Sequence, residues 1–162
     1  MFLKGFQYLT LFALSACSMH GPGEKTPLSR EDCRHEKEMF RCVEYVRNYD
    51  GDTITVSIQD IHPLFGDTIN VRVAGIDAAE LRTEDKCERR MAVLAKTYVE
   101  NLLSQATLIH LQDVQRDKYF RVLAEVVVDG ELLSEKLLSK NLAVPYDGGT
   151  KVKVDWCAAS FR

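Results

Sequence analysis

The chain has 162 residues, 46% of them hydrophobic and 28% charged, with 21 Lys and Arg against 24 Asp and Glu for a formal charge of −3. That is the composition of one globular domain, and it excludes a disordered tail, a coiled-coil rod and a polytopic membrane protein. The negative balance also excludes a global basic field, so a nucleic-acid reading must rest on local residues.

Met1 to Cys17 carry one early lysine, Lys4, then an uncharged stretch rich in Leu, Phe and Ala, then small residues. The run is shorter than the roughly 20 apolar residues of a membrane-spanning helix. Its order of positive, apolar and small segments is that of a cleavable export signal. The ending Leu14-Ser15-Ala16-Cys17 resembles the lipobox of bacterial lipoproteins. That resemblance implies cleavage before Cys17, acylation of that cysteine and, with Ser18 rather than Asp next to it, an outer-membrane lipoprotein facing the periplasm. An ordinary signal peptide, with a soluble periplasmic or secreted product, is the alternative.

Loss of Lys4 with the signal takes the formal charge from −3 to −4 and leaves Cys33, Cys42, Cys87 and Cys157. An exported chain sits where disulfides persist. Four cysteines allow three connectivities, of which Cys33–Cys42 with Cys87–Cys157 is preferred, the local pairing first. The rival is a zinc site on Cys33, His35 and Cys42, which lacks a C-x2-C knuckle and an evident fourth ligand.

From Ser18 to about Arg41 the sequence mixes Gly, Pro, Ser and charges with little periodicity, which suits a tether. The domain plan is a signal over 1–16, a tether and N-terminal extension over 17–41, a folded domain over 42–146 and a tail over 147–162. Val43 to Arg47 and Asp52 to Ile58 read as strands joined through Tyr49-Asp50-Gly51. In the second, Ile54, Val56 and Ile58 alternate with Thr53, Thr55 and Ser57, which gives one buried face. A third strand is expected from Thr68 to Ile76. Met91, Leu94, Ala95, Tyr98, Val99 and Leu102 then fall at helical spacing, marking a helix from about Glu88 to Ser104. Strands near Thr107 to Gln112 and Arg121 to Val128 follow, then a helix bearing Leu133, Leu137 and Leu138 and ending near Asn141. Three strands, a helix, two strands and a helix predict an α+β, mainly β domain: a five-stranded OB-fold barrel capped by two to three helices.

Three segments carry residues that such a fold does not need. Asp50-Gly51-Asp52-Thr53 is a favoured hairpin turn, yet Asp52 shares the inward parity of Ile54 and needs a cation or donors to offset its desolvation. Arg72 lies inside a hydrophobic strand that exits through Asp77 and Glu80. A regular pleat sends Arg72 and Asp77 to opposite faces, but a break at Gly75 would bring them together. Arg116-Asp117-Lys118-Tyr119-Phe120-Arg121 interleaves cations with aromatics, which suits a phosphate backbone with bases or sugars to stack, or a solvated hairpin tip. Together these types suit hard-cation chemistry on a phosphodiester. Carboxylates hold Ca2+ or another divalent ion, guanidinium groups bind phosphate oxygens, and a further carboxylate orients water.

The three runs, Tyr49-Asp50-Gly51-Asp52-Thr53-Ile54, then Arg72 to Asp77-Ala78-Ala79-Glu80, then Asp117-Lys118-Tyr119-Phe120-Arg121, resemble the staphylococcal nuclease (thermonuclease) family over about Val43 to Tyr146. The resemblance implies an OB-fold endonuclease that cleaves DNA or RNA with Ca2+ and leaves 3′-phosphate ends. It places Asp52, Asp77 and the Ala78 carbonyl at the metal. Arg72 and Arg121 fall at the phosphate, with Arg121 also placed to stabilise or protonate the leaving oxygen, stabilisation being preferred for so basic a group, and Glu80 is the proposed general base. Lys118 and Tyr119 match the nucleotide pocket, and Tyr146 approaches the base. No obligate protein partner is implied, so a monomer bound to the membrane only through Cys17 is expected. The alternative is a non-catalytic OB-fold module that binds nucleic acid or another anion.

The chain departs from the family pattern in three places. Ala78-Ala79 replaces Thr-Pro, which is expected to loosen the Glu80 loop, and Phe120 replaces a glycine, which is expected to narrow or reshape the pocket. The tail lacks the secreted prototype's long third helix. It resembles bacterial relatives ending in Asp-Trp-Cys, where Cys157 pins the tail to Cys87.

Overall fold

The structure is a computed structural model that describes residues 32–158 apart from 118 and 120. Cys17, Lys118 and Phe120 therefore lie outside the described residues, and so does the export signal. Strands β1 (Met39–Phe40), β2 (Glu44–Asn48), β3 (Thr53–Ser57), β4 (Ile69–Val73) and β5 (Ile76–Ala78) precede helix α1 (Lys86–Gln105). Strands β6 (Ile109–Arg116), β7 (Val122–Val128) and β8 (Glu131–Leu132), helix α2 (Leu133–Ser139) and strand β9 (Ala143–Pro145) complete the order.

The main sheet runs β1-β6-β7-β4-β3-β2, with β8 paired to β7. Its pairings are antiparallel except that of β4 with β7, which is parallel. Ile54, Val56, Val71, Val73, Leu111, Val126 and Val128 are buried in one hydrophobic core, which Leu133 and Leu137 of α2 join. The sheet is not closed by a continuous ladder. Its curl brings the entrance of β2 to β6, where the Val43 amide donates to the Ile109 carbonyl at 2.9 Å. The result is the expected α+β, mainly β architecture, a barrel-like OB sheet with two α-helices among the described residues.

The third strand is broken where the sequence suggested. β4 ends at Val73 and β5 begins at Ile76, with Gly75 between them at φ +79°, a left-handed conformation that glycine adopts without Cβ strain. Beyond the break the chain leaves the main sheet, and β5 pairs with β9 instead, Asp77 opposite Val144.

Helix α1 begins at an Asp85 cap, whose Oδ1 accepts from the amides of Cys87 and Glu88 at 2.8 and 3.2 Å. Its buried residues are Met91, Ala92, Ala95, Val99 and Leu103, whereas Leu94, expected inside, is 50% exposed. The turn at Gly51 accounts for the rotated face. A Cβ there would stand 2.7 Å from the Ala95 Cβ and 2.9 Å from the Ala78 Cβ, so only glycine lets turn, helix and β5 come so close. Small residues, not leucines, line that contact.

The stretch expected as a tether contributes structure from Asp32 onward. β1 pairs with β6, and a Cys33–Cys42 disulfide closes the segment with Cα atoms 5.3 Å apart. Cys87 and Cys157 form the second disulfide, Cα atoms 5.2 Å apart. Both preferred pairings are present and the zinc alternative is not: His35 instead stands 2.7 Å from the Gln59 carbonyl and accepts from the Arg41 amide.

Candidate active site

The site is built where three segments meet, and its floor is ionic. The Asp50-Gly51-Asp52 turn delivers Asp52, 5% exposed, to the end of β5, where its Oδ2 accepts from the Ala78 amide at 2.6 Å. Its Oδ1 is ion-paired with Nη1 of Arg72, itself 7% exposed. The Gly75 break turns Asp77 to the same side, so Arg72 Nη2 donates to Asp77 Oδ1 at 2.9 Å and to the Ile76 carbonyl at 3.1 Å. One guanidinium thus bridges the two acids predicted to hold a metal. No buried side-chain nitrogen or oxygen among the described residues lacks a partner, as desolvated charges require.

Burial sets the ionisation of this floor. The Arg72 guanidinium is pushed below its ordinary value by desolvation, against the pull of Asp77 and Asp50. The Asp50 carboxyl is raised, again first by burial, with a hydrogen bond from Thr53 and the charge of Arg72 acting the other way. Asp50 also accepts from the Asp52 amide at 3.0 Å, so it braces the turn that presents Asp52.

The rim is more open. Asp117 organises the β6–β7 loop: its Oδ1 accepts from the Tyr119 and Arg121 amides, each at 2.8 Å, and its Oδ2 accepts from Arg121 Nε at 2.7 Å. Burial acts to raise the Asp117 carboxyl, but these bonds hold it below its ordinary value. The Arg121 guanidinium sits 5.6 Å from the Tyr119 ring centre, a cation–π pair on a loop whose tyrosine is 68% exposed. A cavity of about 410 Å3 is lined by Arg72, Tyr119, Arg121 and Tyr146 among others. A larger concavity, about 1080 Å3, lies over β2 and α1, and none of the candidate site residues line it. The chemistry is placed at the smaller one because Arg72 and Arg121 line it and Arg72 is paired with Asp52 and Asp77.

Tyr146 is held by its amide, which donates to the Gly75 carbonyl at 3.0 Å, and by its hydroxyl, which donates to the Gly149 carbonyl at 2.8 Å. Glu80 lies at the exposed edge. Ala78 and Ala79 before it are 4% and 1% exposed, and the loop after it is tied to α1: the Glu80 amide and the Thr83 hydroxyl both donate to Glu88. Those bonds supply the restraint expected to be lost with the proline.

One residue absent from the expected set stands in the middle of it. Lys151 Nζ donates to Asp77 Oδ1 at 2.9 Å and to Glu80 Oε1 at 3.1 Å. Burial acts against its charge, but the two carboxylates raise its pKa above the ordinary lysine value. The residues that brace the site, Asp50 and Asp117, lie inside the Asp50-to-Thr53 and Arg116-to-Arg121 motifs. Lys151 lies 71 residues from Glu80, and no local pattern marks it.

The donor chemistry fits a hard divalent ion. Asp52 and Asp77 offer carboxylate oxygens on one buried floor, linked through a single guanidinium, and the Ala78 backbone adjoins both. Two side-chain cations, Arg72 and Lys151, stand against Asp77. No curated protein matches the chain. The sequence model of the family described as staphylococcal nuclease homologue matches residues 70–155, more than half of the chain, and the chain belongs to that family.

Proposed function

We propose that the protein is a Ca2+-dependent nuclease that hydrolyses phosphodiester bonds of DNA or RNA with weak sequence preference and leaves 3′-phosphate ends. Family membership supports a nuclease-like domain with a nucleic-acid substrate. The observation that carries the finer reading is that Arg72, paired with both Asp52 and Asp77, also lines a cavity together with Tyr119, Arg121 and Tyr146.

In this reading the phosphate enters over Arg72 and is met from the rim by Arg121. Planar guanidinium donors suit its oxygens, and Arg121 also steadies the charge that develops on the leaving oxygen. Tyr119, with Lys118 beside it in sequence, and Tyr146 flank the adjoining nucleotide. Asp52, Asp77 and the Ala78 carbonyl would hold the ion, which supplies Lewis-acid polarisation of the phosphate. Glu80, at the exposed edge where water has access, orients and deprotonates the attacking water.

The test incubates the purified full chain with single-stranded DNA and with RNA, in Ca2+ or EDTA, and identifies the product ends. EDTA-sensitive cleavage to 3′-phosphates is expected. Glu80→Gln should lower the turnover number at least about a hundredfold while the unfolding temperature stays in place, because general-base contributions run from roughly 10² to 10⁴. Binding of single strands without cleavage would instead establish the non-catalytic module. We further propose that the chain is exported and lipid-anchored through Cys17. Labelled palmitate incorporation that is lost in Cys17→Ala checks this.

A further inference from the structure

We propose that Lys151 is a built-in rival of the divalent ion: an ammonium carried on the C-terminal tail that pairs Asp77 with Glu80 and thereby lowers the affinity of the site for metal. The inference rests on the metal reading above and adds a residue that the reading does not contain.

The tail is constructed to put that ammonium there. Before Lys151, β9 is paired to β5 with Val144 opposite Asp77, and the Tyr146 amide is bonded to the Gly75 carbonyl. The turn itself is closed by the Gly149 amide donating to Asp147 Oδ1 at 2.9 Å. After Lys151, Trp156 is 5% exposed in the core and Cys157 is bonded to Cys87 at the start of α1. Pinned on both sides, the segment brings the Lys151 backbone beside the acids, and Nζ is 2.9 Å from Asp77 and 3.1 Å from Glu80.

The same two contacts conflict with a bound ion. Ca2+ coordinates carboxylate oxygens at about 2.3–2.6 Å, and Asp77 Oδ1 already accepts from both Arg72 and Lys151. Arg72 is buried and held by Asp52 as well, so it stays; Lys151 is half exposed and is the cation that can leave. Ion and ammonium repel one another at this separation and draw on the same charge. By linkage, whatever the ammonium contributes to the metal-free site is subtracted from metal affinity. The contact also bridges a predicted metal ligand and the predicted base, so displacement of Lys151 from Asp77 couples metal arrival to the release of Glu80.

The experiment is a calorimetric Ca2+ titration of the full chain, disulfides intact, as wild type, Lys151→Met, Lys151→Arg, Lys153→Met and Asp77→Asn. A merely structural lysine would leave metal binding unchanged or weaken it on removal. The rival cation predicts the reverse: about tenfold tighter Ca2+ binding in Lys151→Met, a size typical of coupling between sites. Wild-type affinity is expected in Lys151→Arg and in Lys153→Met, which removes a tail charge that makes no contact with these acids among the described residues. Equal or weaker binding in Lys151→Met, with binding lost in Asp77→Asn, overturns the inference and leaves the metal site standing. No Ca2+ binding by either wild type or Lys151→Met overturns the metal reading and the inference with it.

Discussion

The two disulfides hold opposite ends of the chain and do different work. Cys33–Cys42 closes nine residues and fixes β1 against β6, where the Cys42 amide donates to His110 Nδ1 at 3.0 Å. None of the candidate site residues belong to that patch. Cys87–Cys157 closes seventy residues and fixes the tail that carries Tyr146 and Lys151 across the acids. The first is a staple for the sheet edge, and the second is part of how the site is assembled. A cross-link acts on function only when the segment it restrains contributes side chains to the chemistry.

Four outcomes bear on that comparison, the largest first. Arg72→Met strikes the floor of the site end and leaves Asp52 and Asp77 buried without their shared cation. Breaking a buried pair from one side costs about 3–5 kcal/mol, so chemical denaturation should show a loss of that size together with loss of cleavage. A stable variant with near-wild-type turnover would remove Arg72 from both roles. Replacing Cys87 and Cys157 together by Ser should cost up to about 4 kcal/mol by the loop-entropy relation. Below its unfolding temperature that variant should bind Ca2+ more tightly, as Lys151→Met is expected to.

Replacing Cys33 and Cys42 together by Ser should cost about 2.5 kcal/mol by the same relation. Turnover and Ca2+ affinity should remain within about twofold of wild type, because sites that share no contacts couple by only about 0.3–0.5 kcal/mol. An effect on Ca2+ affinity as large as that of the other disulfide would erase the distinction between the two ends.

The smallest effect is a pH dependence at the sheet edge. His110 is held below its ordinary value of 6.5 by burial and by the nearby Arg41 charge, and its Nδ1 accepts a bond that the imidazolium form cannot accept. Its folded pKa lies below its unfolded one, so its contribution is present above the unfolded value and is lost as pH falls from there through the folded pKa. Between pH 7.5 and 5.5 the wild-type unfolding temperature should fall by about 2 °C more than that of His110→Asn, which keeps an acceptor and does not titrate. Parallel slopes would show that His110 is not the group responsible.

Much of the site was legible because its pieces are local. Asp50-Gly51-Asp52 is a turn whose residues act within two or three positions of one another, and Asp117 binds Tyr119 and Arg121 inside one loop. The break at Gly75 was legible for the same reason: parity counted along one strand shows that Arg72 and Asp77 meet only if the pleat fails between them. The misread elements are short or depend on a partner. A two-residue strand such as β1 leaves no alternation to detect, and the inward face of α1 was decided by how closely Gly51 lets Ala95 approach, not by where its leucines fall.

The sequence by itself determined which ionisable groups the protein owns, where its main turns lie and which of its longer runs are strands or helices, because those properties are set by neighbours along the chain. Only the tertiary structure decided that β5 pairs with β9, that Ala95 of α1 packs against Gly51, and that Lys151 is the cation standing between Asp77 and Glu80. The physical reason is that two charges 71 residues apart interact only after intervening elements pack. Local periodicity carries no record of which distant ammonium that packing delivers to a carboxylate.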